Sequence, residues 1–223
     1  MAPRRRPAAQ GEADDRQRAV CLLLCVRGVL AGGAVVSWTA VVPLKAAAAR
    51  KTRLASVLAP EARVVLTDRM ARHVIAVLRQ VRSIERVLLL SPVPLSACDA
   101  EWIEDRGAGL NAELARVYAG LDGALLIVHA DLPLLATPDI SALLAAAENS
   151  GRAIASDRHG RGTNAIALFD RQPIVFAFGP GSFLNHAAQG TATRVRRSGL
   201  SLDVDFPDDL AVALARQEFL QAH

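Results

Sequence analysis

Aromatic side chains are scarce. Two Trp, one Tyr and six Phe make up 4% of 223 residues. Proteins that grip single-stranded nucleic acid stack its bases on aromatic rings, so this composition disfavours that class. Lysine is scarcer still, with only Lys45 and Lys51 against 24 Arg. The three cysteines, Cys21, Cys25 and Cys98, form neither a disulfide framework nor a zinc-ligand spacing. They read as plain thiols in a reducing cytoplasm. Most of the chain also lacks an excess of charge. The net charge is +4, but the first 27 residues hold six Arg against three acids, which leaves +1 for the rest. The basic excess therefore describes a tail, and no DNA-binding face follows from it. What is abundant is Ala, Val and Leu. Hydrophobic residues reach 52%, enough to bury the core of one large domain.

No clean apolar run is long enough to span a bilayer. Residues 19–36 come nearest, but Arg27 and Gly28, Gly32 and Gly33 interrupt them. As a secretory signal the stretch has a basic start and a charge in the middle; as a span it is marginal. Residues 1–18 are rich in Arg, Pro and acids and read as disordered. Residues 1–36 are therefore expected to be a disordered extension or a misplaced start, ahead of a single domain over 37–223. No membrane or nucleic-acid partner is expected.

From Ser37 onward, strands alternate with helices. Apolar runs predict strands over 37–43, 86–90, 124–129, 153–156, 165–169 and 201–204. Helical spacing predicts helices over 60–81, 110–121, 137–149, 180–189 and 207–217. Thr137 is expected as an N-cap, with Pro138 in the first helical position. The strands are continuously apolar, as they must be when both sheet faces are covered. The fold class is α/β: a mostly parallel, doubly wound sheet with helices on both faces.

Ligands in such sheets bind beyond the carboxyl ends of the strands, so the residues there carry the chemistry. After the first strand, both lysines lie in one loop with Arg53. Lys is a compact charge suited to a single phosphate oxygen, and Arg53 can add a bidentate clamp. The bland alternative is a solvated basic loop. After the third strand comes Asp131, placed to hold Mg²⁺ against phosphate or, alternatively, to cap the turn before Pro133. The loop 157–164, Asp-Arg-His-Gly-Arg-Gly-Thr-Asn, is polar between apolar strands, as ligand-facing loops are. Gly179 and Gly181 precede Ser182 at a helix start, either an anion site or an ordinary Gly-Pro turn. Asp203 and Asp205, at i and i+2, point the same way in extended chain; Asp205 also suits helix capping.

Taken in order, VPLK, KTRL, GLN, ADLPLL, DRHGRGTN, FGPGSF and LDVDFPDDL resemble the guanylyltransferases of coenzyme F-420 biosynthesis. The resemblance spans residues 37–210 and leaves residues 1–36 outside. It implies a Rossmann-like nucleotidyltransferase fold of the GT-A type. It also implies transfer of GMP from GTP to phosphoenolpyruvate, 2-phospho-L-lactate or 3-phosphoglycerate, with release of pyrophosphate. Mg²⁺ would be held by Asp131, Asp203 and Asp205. Lys45 and Arg53 would clamp the triphosphate as the catalytic cations. Gly109 and Asn111 would lie near guanine or ribose. Thr163, Gly179 and Ser182 would hold the acceptor. His159 receives no role as a base, because a phosphate is already a nucleophile. Arg161 departs from the pattern, where a small or hydroxyl residue is expected. A homodimer and hand-over of product to the next enzyme of the pathway are left open. The rival readings are a nucleotidyltransferase for molybdopterin or a sugar phosphate, and a non-catalytic nucleotide-binding module.

Overall fold

Residues 37–46 and 51–216 are described in the structure, a computed structural model. The apolar runs become strands buried along most of their length: β1 (Trp38–Pro43), β2 (Ile84–Ser91), β4 (Ala124–Val128), β5 (Arg152–Ser156) and β6 (Thr163–Leu168). With β3 (Glu101–Glu104) and β7 (Thr193–Val195) they form one seven-stranded sheet, in the order β3-β2-β1-β4-β6-β5-β7. Neighbouring strands are parallel except around β6, which runs antiparallel to both β4 and β5.

Both faces are covered, as the continuous apolar runs require. Helices α1 (Pro60–Arg79) and α3 (Thr137–Ser150) pack Val74, Leu78, Ile140 and Leu143 against Ala40, Val42 and Leu126. On the other face, Leu114 and Val117 of α2 (Leu110–Ala119) meet Val41, Leu88, Ile127 and Ile166. Phe183 of the short α4 (Ser182–Ala187) joins them. The reversal at β6 matters for function. The loop 157–162 leaves the carboxyl end of β5, and Thr163 and Asn164 open β6 at the edge where β4 ends. His129 N, just past β4, donates to Asn164 O at 2.9 Å.

Several local expectations are corrected. Strands β3 and β7 are short, interrupted by charged residues and largely exposed, so a search for apolar runs passes over them. No strand forms over 201–204. Ser198–Ser201 is a helical turn (α5), and Leu202 and Val204 are buried beside Leu54, Met70 and Ala213, which accounts for their apolar character without a sheet. Ala136, not Thr137, is the N-cap of α3; Asp139 Oδ2 accepts from its N–H at 3.1 Å. The same device opens α6 (Pro207–Ala215), where Asp209 Oδ2 accepts from Phe206 N at 2.7 Å and Asp205 N at 3.1 Å. The helix expected over 180–189 shortens to α4. Cys98 is a half-buried free thiol. The expectations for residues 1–36, Cys21 and Cys25 lie outside the described residues. Among the described residues, no helix is long and apolar enough to cross a membrane.

Candidate active site

A cleft of about 1140 Å³ opens at the carboxyl edge of the sheet. Its lining comes from the end of β1, the loop at 51–53, the segment after β4, the β5–β6 loop, the glycine turn at 179–181 and the segment 203–206.

Lys51 reaches its centre. Its backbone is in the left-handed region (φ 48) and its side chain is 8% exposed. The ammonium donates to Asp131 and, at 2.8 Å, to Asp205 Oδ1. Burial alone would lower its pKa, but the two carboxylates outweigh that and hold it above the ordinary value. Asp131 moves the other way: burial pushes its carboxyl up, and Lys51 overcomes this and holds it low. Both partners are therefore charged. Arg53 Nη1 adds a contact to Asp205 Oδ2 at 3.2 Å, and the guanidinium carbon Cζ lies over the Phe206 ring, 4.9 Å from its centroid.

The three acids meet in this cleft. Val204 N donates to Asp131 O at 3.1 Å, which ties the segment before α6 to the end of β4. Asn164 Nδ2 reaches Asp203 Oδ1 at 3.2 Å and Leu200 O at 3.0 Å. Burial, and then the charge of Asp131, raise the Asp203 carboxyl to about 6. Asp131 Oδ1 is buried and has no hydrogen-bond partner. Among the described residues, however, no group of three or more His, Cys, Asp or Glu has the arrangement of a metal site. The expected three-acid ligand set is thus not formed as it stands, because Asp205 is engaged by Lys51 and Arg53.

The other expected residues fall as follows. Lys45 lines the cleft at the exposed end of β1, and Lys51 occupies the central place given above to Lys45. Asn111 also lines the cleft, but its side chain is engaged: Oδ1 accepts from Phe178 N at 2.8 Å, and Nδ2 donates to Phe178 O at 3.1 Å. It tethers the glycine turn. Gly109 is the N-cap of α2 and is not part of the cleft lining. Gly179 (φ 131) and Gly181 (φ 73) shape the turn before α4.

Thr163 and Ser182 line the cleft, yet each is only 1% exposed. Ser182 Oγ accepts from Thr163 N at 2.9 Å. Thr163 Oγ1 lies 3.0 Å from His186 Nδ1. Ala177 N donates to His186 Nε2 at 2.9 Å, so the proton of the neutral ring sits on Nδ1 and is given to Thr163. Burial, then the charge of Arg152, push His186 down to about 4. These groups join β6 to α4. The expectation that both hydroxyls face an acceptor is corrected to that extent.

Asp157 closes the β5–β6 loop by accepting from Arg161 N and Gly162 N, both at 2.8 Å. His159 is exposed and pairs with Arg158, which reaches Asp209 Oδ1 at 2.7 Å. Sequence reasoning passed over His129. It lines the cleft, lies tilted against the Phe178 ring with centroids 5.1 Å apart, and carries a buried Nε2 with no partner. Burial lowers its pKa, so the ring is held neutral. Its position two residues before Asp131 was the available signal.

Guanylyl transferases of the CofC-like family match residues 38–217. The chain belongs to this family. A phosphoenolpyruvate guanylyltransferase from Sphaerobacter thermophilus is 40% identical over 185 residues, covering 77% of this chain and 89% of that relative. A nucleotidyl transferase from Methanothermobacter superposes with a TM-score of 0.59 at 15% identity, over 84% of this chain and 99% of that one. A Mycobacterium tuberculosis protein solved in complex with manganese has a TM-score of 0.50 at 20% identity, over 80% and 98%. The fold is that of the GT-A-type nucleotidyltransferases. In this CofC-like guanylyl transferase the cleft lies where such sheets bind nucleotides, beyond the strand ends.

Proposed function

We propose that the protein transfers GMP from GTP to phosphoenolpyruvate, releasing pyrophosphate, as a step in coenzyme F-420 biosynthesis. The meeting of Lys51, Asp131, Asp203 and Asp205 at one edge of the cleft carries this reading. The substrate named for its 40% identical relative supports the choice of acceptor. This reading goes with a cytoplasmic enzyme.

An oxygen of the acceptor phosphate attacks the α-phosphorus of GTP. The new oxygen–phosphorus bond forms as the bond from the α-phosphorus to the β-phosphate oxygen breaks, and pyrophosphate departs with those electrons. The acceptor phosphate is already ionised, so no general base is needed. The work of the protein is to position two anions and to neutralise their repulsion. Lys51 supplies a compact positive charge inside the cleft. Arg53 and Lys45 meet the triphosphate from the exposed side. Gly179 and the wall built by Thr163 and Ser182 shape the acceptor end, and Asn111 keeps that wall in place.

The acids suit a hard divalent cation. Asp131 offers a buried oxygen with no partner, and burial with the neighbouring charge of Asp131 raises the Asp203 carboxyl. Mg²⁺ is commonly held by one or two carboxylates plus substrate phosphates and water. Asp131 and Asp203 would hold it, with Asp205 beside them. Bound there, it would neutralise charge on the transferring phosphoryl group.

Incubation of the purified protein with GTP, Mg²⁺ and each of the three acids tests this, with pyrophosphate and product mass followed together. Pyrophosphate release that depends on phosphoenolpyruvate is expected. Release with CTP or UTP in preference to GTP, or none with any of the acids, would sink the proposal.

A further inference from the structure

We infer that Asn164 is a positioning residue, which holds the Asp203 carboxylate beside Asp131 so that the two acids can share one divalent cation; the inference rests on the assignment of the cation to those acids above. Asn164 lies at the start of β6, is 2% exposed and lines the cleft. Its main-chain carbonyl accepts from His129 N at 2.9 Å, two residues before Asp131. Its side-chain Nδ2 donates to Leu200 O at 3.0 Å and to Asp203 Oδ1 at 3.2 Å. A carbonyl and a carboxylate can only accept, so the amide nitrogen faces them and both its protons are used. Val204 N, next to Asp203, donates to Asp131 O at 3.1 Å. These bonds close a ring. It runs from the Asn164 main chain to His129, along the chain to Asp131, across to Val204, and back through Asp203 to the Asn164 side chain.

Asp131 follows directly on β4 and is placed by the sheet. Asp203 is not, because residues 202–205 belong to no helix or strand. The Val204 N–H fixes the main chain there, and the Asn164 amide fixes the carboxylate. The kind of partner also matters. Asp205 is engaged by two cations, Lys51 and Arg53, with which an incoming metal ion must compete. Asn164 is neutral. It orients the Asp203 carboxylate and cancels none of its charge, which is left for a cation together with the partnerless Oδ1 of Asp131. Carboxylates that hold metal ions are themselves held by outer hydrogen bonds, and removing such a partner typically costs about 10–100-fold in metal affinity.

The test is a titration with Mn²⁺ alone, read by electron paramagnetic resonance without nucleotide or turnover. It compares wild type, Asn164→Ala, Asp203→Asn and the double variant. Asn164→Ala should raise the Mn²⁺ dissociation constant about tenfold or more. Asp203→Asn should weaken binding as well. In the Asp203→Asn background, adding Asn164→Ala should change the constant by less than about twofold, because a residue that acts through Asp203 has nothing left to act on. A purely structural Asn164 would lower the thermal midpoint and leave the Mn²⁺ affinity of the folded protein where it was; that result would overturn the assignment. Losses that simply add in the double variant would overturn it too, since Asn164 would then act by another route. Should Asn164→Ala not give the circular dichroism spectrum of wild type, Asn164→Ser, which also deletes the amide but keeps a small polar side chain, is read in the same way. An Asp203→Asn variant with wild-type Mn²⁺ affinity would overturn the cation assignment beneath the inference as well.

Discussion

The Lys51 ammonium is hydrogen-bonded to the Asp131 carboxylate across 80 residues of sequence, and the same ammonium reaches Asp205. One positive charge thereby joins the end of β4 to the segment before α6. In the proposed reaction it would sit where the two anionic substrates approach each other. A charge held in place before the reaction stabilises the charge that develops during it.

Lys51→Gln is therefore expected to lower kcat by about 100-fold or more, on the scale seen when one preorganised donor is removed. Lys45→Gln, at the exposed end of β1, should lower it by less than about tenfold. Lys51→Arg should not restore the rate, because a planar fork does not fit between two carboxylates that hold a compact ammonium. Initial rates of pyrophosphate release at saturating GTP decide the ranking. Equal losses at the two lysines would overturn it.

The placement of these residues shows how far the sequence can be read. Val41 and Val42, Leu88 to Leu90, Leu125 to Val128 and Ala165 to Leu168 form unbroken apolar runs, and a covered sheet leaves that mark. β3 and β7 lie at the sheet edges, where polar residues serve as well, so Glu101–Glu104 and Thr193–Val195 leave none. Asp131, Asp203 and Asp205 are legible because acids at the ends of apolar segments are out of place in a core. Which of two neighbouring lysines turns inward is not legible. It depends on the left-handed backbone at Lys51, a position that composition and spacing do not report. The bond between Thr163 N and Ser182 Oγ, 19 residues apart, is equally silent: hydroxyls suited to a ligand and hydroxyls closing a wall look alike in sequence.

Asp131→Asn keeps the shape of the side chain and removes its charge. Turnover should fall by about 100-fold or more. Binding of Mn²⁺, read by electron paramagnetic resonance without any turnover, should weaken by tenfold or more, because outer oxygens alone do not replace a carboxylate. The far-ultraviolet circular dichroism spectrum should be unchanged, since Asp205 still pairs with Lys51. Unaltered Mn²⁺ affinity would remove Asp131 from the metal site.

Ser182→Ala tests the wall between β6 and α4. It leaves the buried Thr163 N–H without its acceptor. An unsatisfied buried donor costs roughly 1–3 kcal/mol, so the unfolding free energy should fall by that amount and the urea midpoint should drop in proportion at unchanged slope. The KM for GTP should not move. Full stability together with a large rise in acceptor KM would return Ser182 to the role of a direct acceptor ligand.

His186 gives the domain an acid limit. Its Nε2 accepts from Ala177 N at 2.9 Å, so a proton on that atom breaks the bond. Burial, with the charge of Arg152, puts its pKa at about 4, against 6.5 for a free imidazole. The folded value lies below the unfolded one, so the unfolded chain takes up the proton first as pH falls. The stability contributed by neutral His186 is whole above about pH 6.5. It is lost progressively as pH falls through the folded value of about 4, below which the two states are protonated alike. The loss should be on the order of 2 kcal/mol once solvent screening is allowed for. His186→Gln keeps a donor and an acceptor and cannot titrate. Denaturant midpoints of wild type and His186→Gln between pH 7.5 and 4.5 provide the measurement. Wild type should be the more stable at pH 7.5, and its advantage should shrink steadily towards pH 4.5. Parallel curves across that range would mean that His186 stays neutral in both states or is charged in both, and would refute this account of the buried imidazole.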